Sequence, residues 1–234
     1  MAPSQTQTKT AARPDLSGKT ALITGASRGI GAATAMAMAA CGAHVILAAR
    51  TVGGLEEMDD KIRGAGGTAT IMPLDLMQLE DLDKVGPSIF ERFGTLDIFV
   101  ANAGILGTLG PVAHGTPREW EKVFRVNVLA NQRLIRSLDP VMRTAQNGHA
   151  IFMTSEVGHA VCANWSAYAA SKAALEMMVN MYRDELPQTS TLSVHLFDPG
   201  ATRTNMRAEA YPGENPDSLK TADDTAANIL DLFT

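Results

Sequence analysis

The sequence predicts an α/β domain, a single parallel β-sheet covered by helices on both faces. Short runs that are apolar almost end to end alternate with longer stretches of helical period, the pattern of buried parallel strands and their crossover helices. A glycine-rich turn joins the first such run to the first helix, and further glycines stand where later helices should stop. Regular alternation of this kind implies right-handed crossovers and a doubly wound sheet.

The elements follow in order. Ala21-Leu22-Ile23 carries a first strand near 20–24, and the Ala/Met-rich stretch beyond the turn gives a helix near 30–41, stopped at Gly42. A strand near 44–49 precedes a helix near 54–63 that ends at Gly64. A strand near 69–74 leads to a helix near 79–92, closed by Gly94. The fourth strand, near 97–101, precedes a long helix near 117–144 with Gly148 beyond it. Strands near 149–154 and 192–197 are followed by helices near 164–186 and 222–232. No internal repeat and no second domain interrupt this series.

Composition sets the outer limits. A chain of 234 residues, 45% hydrophobic and 19% charged, suits one domain with a full-sized core, read here as residues 16–234. A net charge of −5 without a basic patch or tail argues against nucleic-acid and anionic-membrane partners. Cys41 and Cys162 lack metal-ligand spacing and are expected to be reduced, with Cys41 packed at a helix end. His44, His114, His149, His159 and His195 are scattered, so no metal site is expected. Residues 1–15 are polar, lack the apolar core of a secretory signal, and are expected to be a disordered extension. No apolar run approaches a membrane span, and a cytoplasmic location is expected.

Two motifs carry chemistry. In Thr24-Gly25-Ala26-Ser27-Arg28-Gly29-Ile30-Gly31 the glycines allow a tight turn and close approach of a pyrophosphate to a helix N-terminus. Strand, glycine turn and helix in succession are the context a dinucleotide site requires, and they make the doubly wound sheet Rossmann-like. In Tyr168-Ala-Ala-Ser171-Lys172 the phenol and the ammonium lie four residues apart on one helical face. A phenol titrating near pH 10 is a poor acid-base group at neutrality; a neighbouring cation is expected to lower it.

With these motifs the chain resembles the short-chain dehydrogenases/reductases from Leu16 to about its end. The matches occur in the family's order: the glycine turn, Asp75-Leu76, Asn102-Ala103-Gly104, Asn127, Ser155, Tyr168 with Lys172, and Pro199-Gly200 with Thr204. Ser155 precedes Tyr168 by the family's usual 13 residues (168 − 155). The resemblance implies hydride transfer between a nicotinamide cofactor and a carbonyl or secondary alcohol. Tyr168 would be the acid/base, Lys172 would hold the ribose hydroxyls and tune the phenol, and Ser155 would donate to the substrate oxygen. Asn127 would hold a water linking Lys172 to solvent. The cofactor would meet Gly25, Ser27, Arg28, Gly29, Ile30, Gly31, Arg50, Thr51, Asp75, Leu76, Asn102, Ala103, Gly104, Tyr168, Lys172, Pro199, Gly200, Thr202 and Thr204. A 3-oxoacyl-thioester reductase and a non-catalytic dinucleotide sensor are the alternatives.

NADP(H) is the expected cofactor, with NAD(H) possible. Leu47-Ala48-Ala49-Arg50-Thr51 offers no carboxylate to a ribose 2′-hydroxyl, while Arg50 and Arg28 offer cationic donors to a 2′-phosphate. His159, Val161, Cys162 and Trp165 should border the substrate pocket, and their mix points to a partly apolar small-molecule substrate. Pro212, Gly213 and Pro216 fall in a segment, about 205–220, where the family places a mobile lid. The family also continues into a seventh strand; here the sequence stops at Leu232-Phe233-Thr234, so either the sequence is truncated or that edge strand is absent. Relatives form homodimers or homotetramers, the former through a helix face. Met177, Met178 and Met181 would lie on that face or in the core, and Met36 and Met38 are read as packing.

Overall fold

The computed structural model describes residues 13–233, so all but Arg13, Pro14 and Asp15 of the expected N-terminal extension lies outside the described residues. Six parallel strands form one sheet in the order β3-β2-β1-β4-β5-β6. They are β1 Thr20–Thr24, β2 His44–Ala49, β3 Thr68–Pro73, β4 Ile98–Ala101, β5 His149–Met153 and β6 Ser193–Phe197. Successive side chains on a strand point to opposite faces, and the core divides accordingly. Leu22, Ile46, Phe99 and Phe152 face one layer, closed by Ile89, Leu134, Leu138 and Leu175. Ala21, Ile23, Val45 and Leu47 face the other, closed by Met38, Leu55, Met58 and Ile229. The helices behind the first layer are α4 Val85–Phe93, α6 Ala130–Met142 and α7 Ser166–Glu185. Those behind the second are α1 Gly29–Ala40, α2 Val52–Gly64 and α9 Ala222–Leu230.

Four sequence expectations need correction. The helix expected over 79–92 is two helices, α3 Leu79–Leu82 and α4. Pro87 has no N–H to give Asp83, so a continuous helix would break there; it sits instead in the first turn of α4, where donors are free anyway. Ser137 takes up the loose ends, donating to the Asp83 carbonyl at 3.1 Å and accepting from Gly86 N–H at 2.9 Å. The helix expected over 117–144 begins as α5 Pro117–Phe124 and passes through one π turn, Arg125–Leu129, into α6. Gly64 lies inside α2, and the left-handed residue beyond it is Gly66. After α6 that conformation falls to Asn147, at φ 94°, not to Gly148. Gly42 and Gly94 do hold it, at φ 94° and 76°.

Strand order reverses between β1 and β4, and open α/β sheets bind ligands in the crevice at such a point. Here the two strand ends are tied together. Asn102 Nδ2 donates to the Thr24 carbonyl at 2.8 Å, and Thr24 Oγ1 accepts the N–H of Asn102 and of Ala103, both at 3.1 Å.

Candidate active site

A cavity of about 510 Å³ opens over that crevice. Its wall on one side is the glycine turn, where Gly25 and Gly29 take φ 68° and 56°, a left-handed region that glycine enters without strain. A Cβ on Gly25 would stand 2.8 Å from Asn102 Nδ2, and one on Gly31 would run into the Gly25 carbonyl. Gly31 is thus buried behind the turn, packing helix onto strand, and does not line the cavity. Ser27, Arg28, Ile30, Arg50, Thr51, Asp75, Leu76, Asn102, Ala103, Gly104 and Pro199 do line it. Arg28 and Arg50 are exposed at its mouth, and neither forms an ion pair among the described residues.

Tyr168 and Lys172 come together on α7 at the inner end of the same cavity, both buried. The ammonium lies 5.6 Å from the phenol ring centroid and donates to the Met153 carbonyl at 2.7 Å. Burial pulls Lys172 down to about 8, against the charges of Asp198 and Glu176, which favour the ammonium. The lowered phenol expected from the sequence is not found. Burial pushes Tyr168 up to about 12, and the hydrogen bond with Ser155 offsets only part of that. Ser155 stands in extended backbone just past β5, near enough to favour the phenolate, although it does not line the cavity.

Asn127 sits in the π turn, where the widened backbone directs it inward. Its Oδ1 accepts from Ile105 N–H at 2.9 Å, and its Nδ2 donates to the Ile105 carbonyl and to Ser171 Oγ, each at 3.0 Å. The side chain is thereby committed to the loop after β4 and to α7. Its backbone carbonyl accepts from Asn131 Nδ2 at 2.8 Å. Gly200 and Thr202 also lie off the cavity; Thr202 is buried and bonded to the Pro199 carbonyl at 3.0 Å and to Thr225 Oγ1 at 2.9 Å.

Thr204 lines the cavity and caps α8 Asn205–Ala210, a helix that the sequence reading did not place within the expected lid. From within α8, Arg207 forks onto Glu214 at 2.6 and 2.7 Å and stacks over Tyr211 at 3.8 Å. Tyr211 packs against Trp165, 5.7 Å between centroids, and Trp165 against Tyr168 at 5.8 Å. The two ends of this segment meet in a parallel bridge between Thr202 and Lys220. Val161 and Cys162 are exposed, while His159 turns to Glu176. Sequence reasoning missed Lys122, Met153 and Thr154 in the cavity wall, and Thr24. Only Thr24 and Thr154 had a visible signal, each being the last polar residue of an apolar run.

The residues present suit a dinucleotide with a 2′-phosphate. A glycine cradle without side chains stands at the start of α1, two exposed guanidinium groups lie at the mouth, and a buried ammonium retains donors. Among the described residues no group of three or more His, Cys, Asp or Glu is placed to hold a metal, and no helix is long and apolar enough to cross a membrane.

The similarities to known proteins agree with this geometry. An oxidoreductase of Escherichia coli K12, YciK, is 38% identical over 215 residues, 91% of this chain and 83% of that protein. A short chain dehydrogenase structure from Pseudomonas syringae superposes with a TM-score of 0.92 at 37% identity, covering 95% of this chain and 92% of the other. Another, from Escherichia coli CFT073 and complexed with NADPH, gives 0.88 at 39% identity, covering 94% and 92%. Residues 19–215 match the family described as short chain dehydrogenase, and the protein is an oxidoreductase belonging to it.

Proposed function

We propose that the protein is an NADPH-dependent carbonyl reductase, or alcohol dehydrogenase in reverse, in which Tyr168 is the acid/base. One observation carries the reading. Tyr168 and Lys172 lie buried at the inner end of the cavity whose wall is the glycine turn and whose mouth holds Arg28 and Arg50. A nicotinamide cofactor bound here would supply the hydride. The glycine turn and the N-terminus of α1 would hold its pyrophosphate, Arg28 and Arg50 its 2′-phosphate, and Lys172 its ribose hydroxyls.

A phenol near 12 is fully protonated at neutrality, so Tyr168 stands ready to give its proton to an oxygen that is becoming an alkoxide. Ser155, already within reach of that phenol, donates to the same oxygen, where charge grows in the transition state. Asn127 fixes the loop after β4 against α7 through Ser171. Residues 205–220 form the substrate lid, with Tyr211 and Trp165 as an aromatic wall that suits an apolar flank on the substrate. The exposed Met177 and Met181 give α7 an apolar stripe for a homodimer contact. A net-acidic chain in which no helix among the described residues is long and apolar enough to cross a membrane fits the cytoplasm.

The test is a panel of aldehydes, ketones, 1,2-diketones and 3-oxoacyl thioesters, followed by cofactor absorbance with NADPH and with NADH. Turnover of a ketone with NADPH preferred is expected. Turnover confined to the thioesters would assign the alternative, and no turnover together with tight NADPH binding would assign a sensor.

A further inference from the structure

Among the described residues, Glu176 is the one largely buried carboxylate near Tyr168 and Lys172 that the mechanism above leaves idle. It sits on α7 one turn beyond Lys172, with 16% of its side chain exposed. Its Oε1 receives the hydroxyl of Thr154, which lines the cavity and directly precedes Ser155. The same oxygen lies 3.2 Å from His159 Nδ1 on the loop after Ser155. The backbone of Gly158 is pressed into this corner. A Cβ there would stand 2.8 Å from Glu176 Oε1 and 3.2 Å from Lys172 Cβ.

We propose that Glu176 is a positioning residue: its carboxylate fastens the strand end bearing Ser155 to the helix bearing Tyr168 and Lys172, and supplies negative charge beside the buried ammonium. The inference rests on the reading of Ser155, Tyr168 and Lys172 given above. The geometry serves both tasks. Thr154 Oγ1 and His159 Nδ1 grip the strand end and the following loop from both sides of Ser155, so one carboxylate sets the reach of the serine toward the phenol. The ammonium has a single hydrogen-bond acceptor among the described residues, a neutral carbonyl, and a fully buried cation needs charge nearby to persist. The negative groups that favour it are Asp198, at the end of β6, and Glu176. Glu176 in turn faces Lys172 from its own helix, Thr154 from just past β5 and His159 from the loop.

Glu176→Gln keeps an acceptor for Thr154 and removes the charge. In full-length protein labelled with ¹³Cε-lysine, the Lys172 resonance, identified by its loss in Lys172→Met, should titrate near 8. In Glu176→Gln it should titrate lower by about one unit. The alkaline limb of kcat, measured with NADPH and the best carbonyl compound of the panel, should move by the same amount. Thr154→Val keeps every charge and drops the hydrogen bond. It should leave the titration in place and lower kcat about tenfold with KM little changed. An unmoved Lys172 titration in Glu176→Gln overturns the proposal, as does an unchanged kcat in Thr154→Val, which decides alone if the glutamine variant does not fold. Tyr168→Phe run in parallel separates the two levels. If it keeps full turnover, the reading of the site fails while the lysine titration still judges Glu176.

Discussion

A phenol pushed up to about 12 by burial behaves as a proton donor first, and the proposed chemistry depends on that single hydroxyl. Tyr168→Phe keeps the ring against Trp165 and removes the proton. Turnover should fall by about 10²–10⁴-fold. NADPH affinity, read from cofactor fluorescence, should hold, and residual activity near wild type would dismiss Tyr168 from the role. The second residue-scale prediction concerns Ala49 and Arg50. Ala49→Asp with Arg50→Ala sets a carboxylate where a 2′-phosphate would lie and takes away a guanidinium. Charge-assisted hydrogen bonds are worth about 1.5–3 kcal/mol, so the NADPH/NADH ratio of kcat/KM should drop at least about tenfold. A wild-type enzyme that already prefers NADH would show that Arg28 and Arg50 are merely solvated.

At the scale of elements, α4 and α6 meet at a point too close for any side chain. The Gly86 Cα faces the Ser137 carbonyl so closely that a Cβ has no room, and both partners are backbone or its neighbour. Gly86→Ala should force the helices apart and cost about 1–3 kcal/mol, visible as a lower midpoint in urea. An unchanged midpoint would mean that α4 slides without loss. The strands and most helices were legible because apolar runs and helical period are local signals, as in Ala21-Leu22-Ile23. What failed was set by partners distant in sequence. Pro87 announced a break, yet the chain can break ahead of it, between α3 and α4, only because Ser137, some fifty residues on, satisfies the Asp83 carbonyl. The π turn holding Asn127 follows from its bonds to Ile105 and Ser171, and no pattern within 117–144 encodes those. The sense of the Tyr168 shift was misjudged for a similar reason. Spacing on a helix reveals the nearby lysine but not the burial that outweighs it.

Over the whole molecule, three histidines make stability depend on mild acid. Burial is the first cause that lowers His44, His149 and His195 below their ordinary 6.5, and His149 and His195 stack with their ring nitrogens 3.3 Å apart. The unfolded chain therefore binds more protons than the folded one once pH drops below about 6.5. Their contribution is intact above that value and is lost as pH falls through their folded values. Urea midpoints should decline between pH 7 and 5, before the exposed carboxylates titrate. A profile flat over that interval would mean that these rings accept protons in place.

The tie between Thr24 and Asn102 has a consequence for how the site can change. It joins the two strand ends that flank the crevice, so the wall formed by the glycine turn is backed by the sheet itself. The opposite wall is built otherwise: a segment pinched at its base by Thr202 and Lys220, braced inside by Arg207 and Glu214, and reaching the tyrosine through the tilted rings of Tyr211 and Trp165. On the proposed reading the first wall holds the nucleotide and the second covers the substrate, so new substrates can be accommodated by rewriting about fifteen residues of the second while the first keeps its form.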